Sequence, residues 1–268
     1  MKKFGLQIYS IRDHFTTEED TAASFAKMKE YGYTQAQTAG TYSYISPEKF
    51  RALADENGIE IVGTHYDWNL ICNDVEGTIA YHRTLGTTNI GIGGMPGEAR
   101  GTKEGLFAFI DKFNEMAKIY GEHGFKLTYH NHSFEFVKLE DGKTLFDHLI
   151  EKLDPVNAGF VIDVCWLHLG GADIYDILER LEGRVVMLHL KDVAACRPIK
   201  TEGGGVIGHL PERIEVGCGN INFARIIPAA EKIGCHLFVV EDEIYSTGES
   251  YDSVRISAEN IIAKFLEK

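Results

Sequence analysis

No stretch of this chain approaches the roughly 20 consecutive apolar residues of a membrane-crossing helix. The opening MKKFGLQIYSIRD has a short apolar run broken by Gln7, Arg12 and Asp13, too brief for the apolar region of a secretory signal. There are 5 cysteines, an odd number, widely scattered and without a CxxC pair, which argues against a disulfide framework and against a thiolate zinc site. A reducing cytoplasm is the expected compartment. Basic residues are also scarce: 27 against 40 acidic ones give a net charge of −13, which repels nucleic acid phosphates and anionic membranes. No glycine-rich GxGxxG follows the first apolar run, which weakens a dinucleotide-binding reading.

What is present is alternation. With 268 residues and 44% hydrophobic content, the chain can bury a sizeable core, and residues 1–268 are expected to form a single domain. Short apolar or β-branched runs begin at Phe4, Tyr33, Ile59, Thr88, Phe125, Ala158, Arg184 and His236. Longer amphipathic stretches separate them. TEEDTAASFAKMKEYG has acidic residues in its first turn and closes at Gly32; SPEKFRALADENG has Ser46 to cap, Pro47 in the first turn and Gly58 at its end. The same grammar returns in TKEGLFAFIDKFNEMAKIYGEHG and in the final SYDSVRISAENIIAKFLEK. This α/β alternation calls for a parallel sheet, and the count favours a closed (β/α)8 TIM barrel over an open doubly wound sheet.

One connection breaks the pattern. After HLKD, VAACRPIKTEGGGVIGHLPERIEVGCGN runs for about thirty residues before a helix expected near Ile221, where a βα connection usually takes about 2–6. A long loop after the seventh strand is expected over the carboxyl-terminal mouth of the barrel, with GGGVIG as a flexible lid.

Ionisable side chains gather at the ends of the runs: His65 and Asp67; His130, His132 and Glu135; Asp163; His189, Lys191 and Asp192; Glu241, Asp242 and Glu243. Taken singly, each has an ordinary explanation. Asp67 and Asp192 suit caps or turns, Asp242 and Glu243 suit solvated loop charges, and a lone histidine is more often a satisfied polar residue than a ligand. Ordinary explanations do not gather such groups at one end of successive strands. So many carboxylates and imidazoles repel and desolvate one another unless a cation compensates, and mixed oxygen and nitrogen donors suit Mn²⁺, Zn²⁺ or Co²⁺.

LQIYSIRD, YHNHSFEF, VIDVCWLHLGG, GRVVMLHLKD, EVGCGNINF and FVVEDE, in this order, resemble the sugar phosphate isomerase/epimerase family, whose fold is a xylose isomerase-like TIM barrel. The resemblance implies one divalent metal ion, usually Mn²⁺, with Zn²⁺, Co²⁺ or Mg²⁺ as alternatives, held by Glu135, Asp163, His189 and Glu241. It also implies that Glu135 and Glu241 act as an acid/base pair, moving a proton beside the carbonyl of a small sugar, keto-sugar or derivative through a metal-stabilised enediolate. His65, His130, His132, Trp166 and Lys191 are the candidate substrate contacts, and His168 faces either the substrate or the following helix. Period-2 alternation sets His130 and His132 on one strand face and Glu135 on the other, so the strand must end or bulge near Ser133 to bring Glu135 to the rim.

The chain departs from the ketose epimerases of this family in two ways. Trp166 stands where they carry a histidine three residues past the aspartate, and the long insertion replaces a short connection bearing an arginine, for which Arg197 and Arg213 are the available substitutes. A metal-dependent lyase or dehydratase on the same machinery is the second reading. An endonuclease IV-like activity would need several zinc ions and a basic surface, which the charge opposes, and a binder without turnover is the remaining alternative. The resemblance further implies association into a homo-oligomer.

Overall fold

The structure, a computed structural model, describes residues 3–243 and 248–266. In chain order its strands are β1 (Gly5–Gln7), β2 (Gln35–Ala39), β3 (Glu60–His65), β4 (Asn89–Ile92), β5 (Lys126–His130), β6 (Ala158–Asp163), β7 (Val185–Leu190), β8 (Asp192–Lys200), β9 (Val206–Ile214) and β10 (Phe238–Val240). All eight expected runs become parallel strands of one 8-stranded sheet, in the order β3-β2-β1-β10-β7-β6-β5-β4. The gap between β3 and β4 is narrow. Tyr66 donates its backbone N–H to the Gly91 carbonyl at 2.7 Å across it, and a Cβ on Gly91 would lie 2.2 Å from the Thr64 carbonyl oxygen. The curled sheet is a nearly closed TIM barrel, and only glycine allows that approach.

Helices cover the outside, and their ends follow the capping chemistry of the sequence. The helix Glu18–Glu30 starts where the Thr17 side chain accepts from the Asp20 N–H, and the chain leaves it through Gly32 at φ +92°. The helix Pro47–Glu56 is capped by Ser46, which accepts from the Lys49 N–H. The last helix, Ser250–Ile261, runs into a π-helical turn, Ile262–Leu266; the final two residues of that expected segment lie outside the described residues.

Strand alternation splits the buried residues into two regions. One hydrophobic cluster lies between strands and helices, while Val62, Val161, Met187 and Val239 form a separate small cluster. Asp163 follows Val161 by two positions on β6, His189 follows Met187 likewise on β7, and Glu241 follows Val239. Residues two apart on a strand share a face, so the polar side chains stack directly above this apolar plug, toward the carboxyl ends.

The insertion is a correction to the sequence reading. It is not an irregular loop or glycine-rich lid: β8 and β9 form an antiparallel hairpin, with Arg197 opposite Leu210 and Ile199 opposite Gly208. Only Thr201–Gly205 make the turn, and Gly204 takes φ +79° there. The following helix begins at Phe223 rather than near Ile221. Among the described residues, no helix is long and apolar enough to cross a membrane, and the five cysteines are all unpaired.

Candidate active site at the carboxyl ends of the strands

His130, Asp163, His189 and Glu241 converge so that one ligand atom from each lies within 4.8 Å of the others, and all four are buried. His65 joins His130 and His189 in a second, overlapping group at the same spacing. Above them opens a cavity of about 410 Å³ lined by residues that include Tyr9, His65, His130, His132, Glu241 and Glu243.

Each side chain is held by its own local structure. Asp163 ends β6 and caps the helix Val164–Leu169: one oxygen accepts from the Trp166 N–H at 3.0 Å. Its other oxygen, Oδ2, is buried with no hydrogen-bond partner. The Asn131 amide grips the Asp163 backbone, accepting from its N–H at 2.9 Å and donating to its carbonyl at 3.3 Å. His130 points its Nε2 toward Asp163 Oδ2 at 3.7 Å and Glu241 Oε2 at 3.6 Å, and that nitrogen too makes no hydrogen bond. Burial works against charge on His130, but the Asp163 contact and the Glu241 charge outweigh it and raise its pKa.

The proton on His189 can be placed by following one chain of contacts. The Tyr9 N–H donates to Gln7 Oε1 at 3.2 Å, so the Gln7 amide nitrogen faces Gln37 Oε1 at 2.9 Å. Gln37 Oε1 therefore has only oxygen lone pairs to offer His189 Nε2 at 2.6 Å, and Nε2 carries the proton. Burial holds His189 below its usual pKa, in the neutral form, which leaves its Nδ1 lone pair aimed at Glu241 Oε2, 2.6 Å away. Burial also opposes charge on Glu241, yet the Lys191 charge pulls its pKa well below the carboxylate range. A lone pair facing an anion at that distance, beside an orphaned Asp163 oxygen and an orphaned His130 nitrogen, is a donor set that a bound cation would satisfy. The residues fit a divalent metal ion.

Not every expected residue joins this group. Glu135 does not: β5 ends at His130 and a 3-10 turn, Phe134–Phe136, carries the Glu135 carboxylate to the Tyr129 hydroxyl at 2.7 Å and the His132 N–H at 2.8 Å. The strand ends before Ser133, as alternation required, but the Glu135 carboxylate does not group with the other three. Its burial pushes its pKa up. His130, expected only to line the pocket, stands in the group instead.

His132 borders the cavity, stacks on Phe134 and is pushed by burial to a pKa of about 3. His65 also lines it, held well below its usual pKa by burial. Trp166 stands beside His132, with the Lys191 ammonium 5.1 Å and the Arg213 guanidinium 5.3 Å from its ring centre. Lys191 is 1% exposed and reaches Glu243 at 2.7 Å, Asp163 at 3.7 Å and Glu241 at 3.8 Å. Burial opposes its charge, but these carboxylates raise its pKa. Arg213, from the base of the hairpin, pairs with Glu243; Arg197 pairs with Glu212 far out on the exposed hairpin. His168 is exposed.

Asp67 and Asp192 take the cap and turn roles the sequence suggested, Asp242 was read differently, and Gln37 was missed. Asp67 is a cap, accepting from the Asn69 and Leu70 N–H groups. Asp192 accepts from the backbone N–H groups of Val193, Gly217, Gly219 and Ile221, which pins the segment after the hairpin. Asp242 is not a solvated loop charge: it is 3% exposed, accepts from the Ser257 hydroxyl at 2.6 Å, and burial raises its pKa to about 8. Gln37 had no charge to draw notice, and its one signal was the pair of amides in QAQ at the centre of a buried strand.

Two curated relatives are similar to this chain, both named inosose dehydratase. The protein from Geobacillus thermodenitrificans (strain NG80-2) is 26% identical over 147 residues, 53% of this chain and 48% of that protein. The one from Geobacillus kaustophilus (strain HTA426) is 24% identical over 214 residues, 69% of this chain and 65% of that protein. The chain thus spans about half to two thirds of the length of these relatives. Among solved structures, a sugar phosphate isomerase/epimerase from Parabacteroides distasonis ATCC 8503 superposes with a TM-score of 0.81 at 22% identity, covering 100% of this chain and 96% of that one. Residues 25–263 match the family described as xylose isomerase-like TIM barrel, and the chain belongs to it.

Proposed function

We propose that this protein is a divalent-metal-dependent enzyme that removes a proton beside the carbonyl of a small sugar, keto-sugar or related polyhydroxylated ketone, as a sugar isomerase or epimerase does. The observation that carries the reading is the convergence of buried donors, with Asp163 Oδ2 and His130 Nε2 unpartnered and His189 Nδ1 facing Glu241, beneath an open cavity. A bound ion, Mn²⁺ by family resemblance, would polarise the substrate carbonyl and make the neighbouring C–H acidic enough for a carboxylate to abstract.

The chain's own residues supply the rest. Glu241, ionised despite burial, is the base. Lys191 holds its proton between Asp163, Glu241 and Glu243 and donates to the substrate oxygen that gains charge. His132 and His65 line the cavity and form the wall for a polyol, with the Trp166 ring beside His132. Nucleic acid is not the substrate of so acidic a chain, whose net charge is −13.

One observation favours a second reading. Epimerisation needs a proton partner on each side of the reacting carbon, and Glu135 is bonded to the Tyr129 hydroxyl and does not group with Glu241. A single carboxylate base with Lys191 as acid suits elimination: the base takes the proton beside the carbonyl and the acid protonates the departing hydroxyl. The curated relatives are named dehydratases, in keeping with this. Incubation of the metal-loaded protein with a panel of ketoses and keto-cyclitols, read by product mass, separates the two. Unchanged mass with a changed configuration supports isomerase or epimerase; loss of water supports the lyase; no conversion in the presence of any divalent ion counts against both.

A further inference from the structure

The family resemblance assigns the glutamate after the fifth strand to the metal, but the geometry does not bring Glu135 there. Its carboxylate is committed to the Tyr129 hydroxyl at 2.7 Å and the His132 N–H at 2.8 Å, inside a turn that leaves it no exposure. The place is filled by His130, the last residue of β5. Its Nε2 is buried, unpartnered, and 3.6–3.7 Å from the carboxylates of Glu241 and Asp163.

We infer that His130 is the fourth ligand of the metal site, so that this chain holds its ion with two imidazoles and two carboxylates and is biased toward borderline ions such as Zn²⁺ or Co²⁺ over Mn²⁺. The inference rests on the proposed function, which requires the site but not this ligand. The physical ground is that each carboxylate-to-imidazole exchange removes a hard anionic donor favoured by Mn²⁺ and supplies a nitrogen donor favoured by later divalent ions. His65 is not part of the set, since its ligand atoms group with His130 and His189 but not with Asp163 or Glu241, and its Nδ1 lies 3.3 Å from the Gln7 amide. Gln37 orients His189 from behind, while the Gly93 carbonyl, 3.4 Å from His130 Nδ1, does the same for His130 and leaves Nε2 free to bind.

The test is equilibrium dialysis of the full-length, metal-stripped protein with Zn²⁺ alone and Mn²⁺ alone, for wild type, His130→Glu and Asp163→Asn. Pulsed EPR of the Mn²⁺-loaded wild type, ¹⁵N-labelled at histidine, is run beside it and needs no substitution. The expected result is a Zn²⁺-over-Mn²⁺ preference that falls by about tenfold or more in His130→Glu, and nitrogen couplings from two imidazoles. An unchanged preference, or a single imidazole coupling, while Asp163→Asn weakens both ions, overturns the His130 assignment and leaves the proposed function standing. Unchanged binding in Asp163→Asn, or none in wild type, overturns both.

Discussion

His189 Nδ1 lies 2.6 Å from Glu241 Oε2, while His189 Nε2 lies 2.6 Å from Gln37 Oε1. The second contact decides the meaning of the first. Because Gln37 Oε1 can only accept, His189 places its one neutral-state proton there, and its free lone pair meets a carboxylate that has no proton to give. Two strands far apart in sequence, β2 and β7, thereby set the charge requirement of the whole pocket.

Removing the Gln37 acceptor frees the His189 ring to turn and to change tautomer. Gln37→Leu is expected to weaken divalent metal binding by about 10–100-fold, the usual cost of losing an outer partner of a ligating histidine. Titration of the metal-stripped variant by calorimetry checks this, and wild-type affinity would mean that His189 is oriented by other contacts.

Lys191 offsets Asp163 and Glu241 without metal and shares Glu243 with Arg213. Lys191→Met removes that charge from the buried Asp163 and Glu241, and is expected to cost about 3 kcal/mol of stability in chelator, since breaking a buried ion pair typically does. Saturating divalent metal narrows the gap to wild type, because a cation binds the variant's more negative pocket better. Denaturant melts with and without metal measure both numbers. An equal gap in the two conditions contradicts the shared role.

His82 gives a pH dependence away from the site. It is fully buried, bonded to the Thr64 hydroxyl at 2.8 Å and to the Thr78 carbonyl at 2.7 Å, and burial lowers its pKa to about 4. In the unfolded chain it titrates near about 6.5, so between the two values the unfolded state holds the extra proton. Its share of stability is complete above about 6.5 and declines as pH falls toward 4, by up to about 3 kcal/mol. The difference in unfolding free energy between wild type and His82→Gln should shrink by that amount from neutral pH to pH about 4. A constant difference contradicts it.

Asp192 holds the chain after the hairpin through four backbone N–H groups at 2.8–3.1 Å. Asp192→Ala leaves buried donors without an acceptor, at an expected cost of about 3 kcal/mol. Hydrogen exchange should accelerate first over residues 215–221. A uniform rise across the barrel would assign Asp192 a global role instead.

The barrel was legible because its strands obey period 2 with the apolar residue below and the polar residue above: Val161 and Asp163, Met187 and His189, Val239 and Glu241. That register carries three of the four converging residues. Glu135 falls outside the converging group because the rule fails once β5 ends at His130; the chain then turns, and the direction of a side chain in a 3-10 turn depends on its neighbours, here the Tyr129 hydroxyl. The hairpin was hidden for a related reason. TEGGG resembles a loop, and strands with exposed faces, such as RPIK and VIGHLPER, lack the apolar alternation that marks a buried one. Gln37 shows a third limit: a neutral amide becomes important only through the partner that another strand brings.

The central claim, that Glu241 removes a proton beside a carbonyl in a metal-dependent site, is tested most directly by incubating metal-loaded wild type and Glu241→Gln with keto-sugars in D₂O and following the C–H signals by NMR. The account predicts deuterium uptake at the carbon beside the carbonyl, or in the product formed from it, with wild type; none with chelator; and loss of uptake in Glu241→Gln with the fold intact. Uptake that survives the Glu241 substitution, or proceeds undiminished in chelator, would contradict it.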